Sequence, residues 1–164
     1  MSKTESVKIL PLDTGDAEQV KSIAVNQWGD RLVVVHGCQY YLDELPGFKA
    51  MRGQTWLGLI TYSIDGEVCE IVSLDSFMPR QGVGRLLVDA VQRAAYDADC
   101  KKIVLITTND NLNAMAFYQK IGFQMVWVEP DAVTRSRETK PSIPLFADNG
   151  LPIRDEITFE MKLS

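Results

Sequence analysis

Pro79-Arg80-Gln81-Gly82-Val83-Gly84-Arg85 decides the reading of this chain, because of what stands on either side of it. Upstream, Thr55–Ile64 and Glu67–Phe77 are rich in β-formers. Asp65-Gly66 lies between them, a pair that suits the positive φ values of a tight turn, so the two segments are expected to form an antiparallel hairpin. Downstream, Gly82–Ala98 places Leu86, Leu87, Ala90, Val91 and Ala94 on one helical face, with Arg85, Asp89 and Arg93 opposite. A strand that runs through two glycines into a helix brings free backbone N–H groups and the positive end of a helix dipole to one point. That arrangement is a cradle for a pyrophosphate, to which Arg80 and Arg85 would add charge-assisted bonds. By itself the glycine pair fits a ligand-free turn equally well. Two nucleotide patterns are disfavoured: no Gly-Lys pair supports a P-loop, and Leu87 stands where a dinucleotide fingerprint needs a small residue.

Beyond the helix, Ile103–Ile106 is a solid apolar run, expected to be a strand buried on both faces. Asn109 or Asp110 is placed to cap a following helix over Asn111–Ile121, and Gly122 falls where its end would need a left-handed residue. That helix reads Asn111-Leu-Asn-Ala114-Met-Ala-Phe117-Tyr118-Gln-Lys-Ile-Gly122-Phe123. QGVGRLL followed, one helix and one strand later, by NxxAxxFYxxxGF resembles the coenzyme A binding core of the GNAT superfamily of N-acetyltransferases. The resemblance covers about Glu70 to Phe123. The tail, with KPSIP and GLPIRDE, looks like an uncharacterised bacterial subgroup of the same superfamily.

The resemblance implies a GNAT-like acyl-CoA N-acyltransferase fold: one mixed α/β (α+β) domain over residues 1–164, with a central, mostly antiparallel sheet flanked by helices. It implies acetyl-CoA as co-substrate and no metal. Backbone groups of Leu74, Ser76 and Phe77 would pair with the pantetheine arm like an added strand. A bulge near Asp75 would splay this strand from its parallel neighbour. Arg80, Gln81, Gly82, Val83, Gly84 and Arg85 would bind the pyrophosphate, and Asn111 and Ala114 the pantetheine. Tyr118 matches the tyrosine that many members place near the thioester sulfur, as proton donor to the leaving thiolate. Glu70 and Asp75 are the candidate bases, with Glu70 slightly preferred; they face opposite sides of the strand unless a bulge intervenes. One position departs from the family: Pro79, which lacks an N–H, stands where Gln or Arg is common.

The implied reaction is acetyl transfer to a primary amine of a small molecule or amino-acid-like substrate. Acylation of a protein N-terminus or lysine, and a non-catalytic acyl-CoA-binding module, are the alternatives. The remaining residues are compatible with this. The net charge is −5, and no basic run interleaves with aromatics, so nucleic acid is a poor partner. Cys38, Cys69 and Cys100 contain no CxxC, and with His36 as the one histidine they give too few ligands for a metal site. No run approaches the roughly 20 apolar residues of a membrane span, and the polar start lacks a signal peptide's apolar core, so a soluble, cytoplasmic protein is expected.

The first strand is expected at Val7–Leu12 and an amphipathic helix at Asp16–Trp28. Arg31–Tyr41 reads as either strand or buried helix. Phe48–Met51 is a short strand followed by an Arg52-Gly53 turn, and Phe123–Val128 is a further strand. Glu129–Asp155 holds four of the seven prolines and reads as a long ordered loop with one helical turn at Asp131–Arg137. Its Arg135, Arg137, Lys140 and Arg154 either solvate the loop or belong to a substrate lid or dimer contact. Glu156–Leu163 alternates cleanly and closes the sheet, either within the chain or across a homodimer.

Overall fold

The computed structural model describes residues 6–78 and 81–164. One seven-stranded sheet runs through it, built from β1 (Lys8–Pro11), β4 (Gly47–Arg52), β5 (Thr55–Asp65), β6 (Val68–Ser76), β7 (Lys102–Thr108), β8 (Gln124–Glu129) and β9 (Glu156–Lys162). The order across the sheet is β1-β4-β5-β6-β7-β9-β8. Every neighbouring pair is antiparallel except β6 and β7, whose parallel pairing is bridged by helix α2 (Val83–Asp97). Helix α3 (Leu112–Lys120) leads from β7 into β8. β9 inserts between β7 and β8 of its own chain, so the closing strand pairs intramolecularly.

One face of the sheet packs against α2 and α3. Leu87, Val91, Ile103 and Phe159 are fully buried there. The other face is covered by α1 (Ala17–Trp28) and a small hairpin of β2 (Leu32–Val35) and β3 (Cys38–Tyr41). Val20, Ile23 and Ala24 of α1 meet Leu59 and Val72 of the sheet, with Val33 and Leu42 beside them.

Several local readings shift, each for a tertiary reason. The undecided segment Arg31–Tyr41 is a hairpin, turned at His36 (φ 51°) and Gly37 (φ 77°). Its base is pinned by Arg31, which donates twice to Asp43 at 2.7 Å and lies 4.6 Å over the Tyr41 ring. In the β5–β6 hairpin, Asp65 pairs with Val68, so the turn pair is Gly66-Glu67 and only Gly66 (φ 60°) needs a positive φ. The β4–β5 turn likewise falls on Gly53-Gln54. The buried stripe of α2 is Val83, Leu87, Val88, Val91 and Ala95; Leu86, expected inside, is 41% exposed because the helix is rotated to bring Val83 onto the sheet. β7 is sealed on the α2 side by Ile103 and Leu105, whereas Val104 and Ile106 are only half-buried on the other. Asn111, rather than Asn109 or Asp110, caps α3, its Oδ1 accepting from Ala114 N at 3.2 Å. The loop after β8 contains two full turns of helix, α4 (Ala132–Thr139).

The feature that shapes the molecule is a register shift between β5 and β6. Thr61 pairs with Ser73, but Tyr62 pairs with Ile71, which leaves Val72 as the extra residue of a β-bulge. The bulge therefore lies three residues before Asp75, where the sequence reading put it. A buried bond of 2.6 Å between the Thr61 and Ser73 hydroxyls locks the register beside it. β6 pairs with β7 only from Val68 to Ile71; beyond the bulge the two parallel strands part.

Gly58 lets β5 lie close to β6 and α2. A Cβ there would stand 2.8 Å from the Asp75 carbonyl oxygen and 2.9 Å from Val83 Cγ1. Gly58→Ala is expected to destabilise the fold by about 1–3 kcal/mol through overpacking. Gly66→Asn, with open space around it and a residue tolerant of positive φ, should cost less than about 1 kcal/mol. Urea unfolding of the two variants measures the difference.

Candidate active site

The start of α2 lies against the parted end of β6, where a Cβ on Gly84 would stand 4.0 Å from Leu74 Cδ2. Gly82 is the residue before α2, in the left-handed region at φ 73°, and no side chain caps the helix. No acidic residue lies in the first turn. The first intrahelical bond runs from Leu86 N to Gly82 O, so the N–H groups of Val83, Gly84 and Arg85 keep no helical partner and suit an anion. The second glycine has a different task. A Cβ on Gly84 would lie 3.2 Å from Phe117 Cζ, so this glycine lets α2 and α3 approach and ties the two halves of the sequence pattern together. Arg52, which reads in the sequence only as a turn residue, reaches the same place: its Nη2 donates to Gln81 Oε1 at 3.2 Å, and its buried Nε has no partner among the described residues. Arg85 is exposed. Arg80 and Pro79 lie outside the described residues.

Along the splayed part of β6, Phe77 N donates to Leu57 O at 2.8 Å. Antiparallel alternation then turns the amide of Asp75 toward Leu59 and those of Leu74 and Ser76 away from β5, into the gap. Asn111 and Ala114 begin α3 on the far side of that gap.

The bulge also settles the facing of the two carboxylates. Glu70 pairs with Ser63 and Asp75 with Leu59, alternate residues of an unbulged stretch of β5, so both lie on the α1 face. Their surroundings differ. Glu70 sits where β6 is still paired with β7, near Tyr40, His36 and Glu156. Burial raises its pKa, opposed by the Tyr40 hydroxyl and His36 and reinforced by Glu156. Asp75 stands in the open part and accepts from the Trp28 indole Nε1 at 3.1 Å. Burial pushes its carboxyl up to about 6, with the Trp28 bond acting the other way. Tyr118 is boxed by Phe117, Phe123 and Phe159, with ring centroids 5.1, 5.5 and 6.1 Å away. Burial lifts its phenol well above the ordinary tyrosine range, and the charge of Asp75 adds to the effect.

On the α1 face the gap opens into a chamber of about 520 Å³. Val72 and Ile106–Thr108 border it where the strands part, and β2, the end of α1, α4 and Ser142–Pro144 supply its other walls. A neighbouring cavity of about 430 Å³ between the hairpin and α4 shares Val34, Ser136 and Glu156 with it. The basic residues of the long loop build these walls. Lys140 Nζ donates to Trp28 O at 3.1 Å and Leu32 O at 2.7 Å. Arg137 gathers Ile143 O at 3.1 Å and Ile153 O at 2.6 Å. Arg135 pairs with Glu129, and Arg154 with Asp155. Asn109 joins the end of β7 to the loop: its Nδ2 donates to Pro152 O at 2.8 Å, and its Oδ1 accepts from Arg154 N and Asp155 N at 3.0 and 2.9 Å.

The sequence pattern of the acetyltransferase (GNAT) family matches residues 17–123. This chain belongs to that family. Uncharacterized protein YdhI of Bacillus subtilis (strain 168) is 44% identical over 153 residues, covering 92% of this chain and 95% of its own. Among solved structures, the fold is similar to an IAA acetyltransferase from Bacillus cereus ATCC 14579 (TM-score 0.74, 20% identity, 96% of this chain and 100% of that one). It is also similar to a Bacillus subtilis acetyltransferase in complex with CoA (TM-score 0.71, 17% identity, 97% and 100%).

The co-substrate of the GNAT family is acetyl-CoA, and the groove of this member fits it. The uncapped start of α2 and Arg52 Nε, which has no partner among the described residues, would offer donors to the pyrophosphate, and the edge of β6 beyond Ile71 would offer backbone groups to an amide-bearing arm. No group of three or more metal-ligating side chains occurs among the described residues. Trp28, Arg52 and Lys140 carry no local signal of their place in this GNAT site, because each reaches it from a distant element. Acetyl-CoA and CoA should each raise the melting temperature and ATP should do so far less, since only a ligand of the folded state shifts the midpoint. Differential scanning fluorimetry with the three side by side checks this; equal shifts would mean a nonselective phosphate cradle.

Proposed function

We propose that the protein transfers the acetyl group of acetyl-CoA to a primary amine of a small molecule, by direct attack. The observation that supports this reading is the cavity bordered by Val72 and Ile106–Thr108 where β6 and β7 part. A protein N-terminus or lysine would have to enter past the walls formed by β2, α4 and residues 142–144, which favours a small acceptor. A pure binding module would have no use for a carboxylate where the strands part, and Asp75 stands there.

In the proposed reaction the amine arrives as an ammonium ion and gives a proton to Asp75, directly or through water. Asp75 is preferred to Glu70 because it stands where the strands have separated, whereas Glu70 lies in the paired stretch. The neutral nitrogen attacks the acetyl carbon, and a C–N bond forms as the C–S bond breaks. The free N–H of Leu74 or Ser76 steadies the negative charge on the carbonyl oxygen. The nitrogen then loses its second proton, which the CoA sulfur takes up, so the products are the N-acetylated amine and CoA. Tyr118, held protonated by its burial, stabilises the departing thiolate chiefly as a hydrogen-bond donor.

Asp75 must be ionised to take the proton, so kcat is expected to rise with pH through a midpoint near the carboxyl's value of about 6, and this limb should vanish in Asp75→Asn. The same shift acts on stability. The folded chain holds this proton more tightly than the unfolded chain, so stability should fall as pH rises from about 4 to 6, and less so in Asp75→Asn. Tyr118→Phe keeps the ring packing and should lower kcat by roughly 10²-fold, with little change in the KM for acetyl-CoA. Steady-state thiol release across pH reads the kinetic effects; unchanged kcat in Tyr118→Phe would remove that residue from the mechanism.

A further inference from the structure

Lys140 is a buried ammonium without a counter-ion. It lines the chamber at the end of α4, is only 9% exposed, and makes no ion pair among the described residues. Lys49, by contrast, pairs with Asp16 at 2.7 Å. Lys140 Nζ donates instead to two main-chain carbonyls, Trp28 O and Leu32 O. Those bonds use two of its three protons and bring no net negative charge. A buried charge that lacks a partner is costly, so a desolvated anion reaching it gains accordingly. Burial lowers the pKa of this ammonium, and the charge of Asp30 acts the other way from beyond ion-pair distance.

Val133, Ser136 and Lys140 follow one another at helical spacing and all line the chamber, with Lys140 N closing the helix on Ser136 O at 2.9 Å. Ser136 and Ser142 add hydroxyl donors to the same wall. Trp28 joins the ammonium to the base of the proposed reaction. Its carbonyl accepts from Lys140 at 3.1 Å, and its indole Nε1 donates to Asp75 at 3.1 Å. The two opposite charges are therefore one tryptophan apart. Asp110 and Glu156 also line the chamber, so carboxylates that suit an ammonium stand with one ammonium that suits a carboxylate. A simple amine would leave Lys140 unmet, whereas a molecule that carries both charges answers both.

We propose that the acceptor is an amino acid, and that Lys140 is the binding residue that receives its carboxylate while the amino group faces Asp75. This rests on the acetyl-transfer reading in taking the chamber as the acceptor site and Asp75 as the base. A volume of about 520 Å³ is ample for such a molecule.

Isothermal titration of the CoA-loaded protein with two matched pairs tests the proposal without requiring turnover: phenylalanine against 2-phenylethylamine, and 6-aminohexanoate against pentylamine. The members of each pair differ by the carboxylate alone. In at least one pair the amino acid should bind at least about tenfold more tightly, the worth of one charge-assisted bond. Lys140→Gln, which keeps a donor for the carbonyls and removes the charge, should abolish that preference while retaining the thermal shift with acetyl-CoA. Equal or tighter binding of the amine in both pairs, or no binding of either amino acid, would overturn the proposal. So would a folded Lys140→Gln protein that keeps the preference. Lys140→Met takes its place should that variant not fold, and the ranking in the unaltered protein tests the carboxylate in either case. Thiol release is then assayed separately. An amino acid that binds through Lys140 but is not acetylated would overturn the reaction and leave the binding assignment standing.

Discussion

The extra residue in β6 is the constraint on which the site depends. A sheet with β6 and β7 paired to their ends would have no gap for a thioester and no unpaired backbone edge beside it. Val72 ends the pairing at Ile71–Leu105 and sends the rest of β6 away from β7. The same residue changes the side-chain parity, so Glu70 and Asp75, five positions apart, share a face. The Thr61–Ser73 hydroxyl bond holds the irregularity in one register, as a buried polar pair can when each partner satisfies the other.

A second set of contacts converts the open gap into a chamber. Segment 130–155 contributes little to the main core, and its order comes from side chains that bind main-chain carbonyls. Arg137 draws Ile143 and Ile153 together, Lys140 bridges α1 and β2, and Asn109 fastens the loop to the end of β7. These bonds supply partners for backbone groups that helix or strand would otherwise satisfy. They also explain the concentration of basic residues among prolines: proline withholds N–H donors, and arginine and lysine donate to the carbonyls left over.

Much of this was legible locally. The hairpin of β5 and β6, the amphipathic α2, the apolar β7 and the alternating β9 follow from periodicity and turn residues. The glycine pair before α2 and the Asn111–Phe123 segment carry the resemblance to the family whose pattern matches residues 17–123. The sequence reading erred where two local solutions were nearly equal and a distant contact chose between them. Leu86 and Val83 both suit the inner face of α2, and closeness to Gly58 selects Val83. Asn109, Asp110 and Asn111 are all capable caps; the strap occupies Asn109, and the cap falls to Asn111. Periodicity could not divide Arg31–Tyr41, because its apolar run is short and its turn depends on a histidine accepting a positive φ.

Sequence alone determined the family and the element order through the central half of the chain. Those features depend on interactions between near neighbours, which composition and spacing record directly. Only the tertiary structure decided where β6 leaves β7, which carboxylate stands in the gap, and what encloses the chamber. They depend on meetings such as Trp28 with Asp75, 47 positions apart, or Lys140 with Leu32, 108 positions apart. No local pattern encodes such a meeting, because the chain on either side reads the same whether or not the partner arrives.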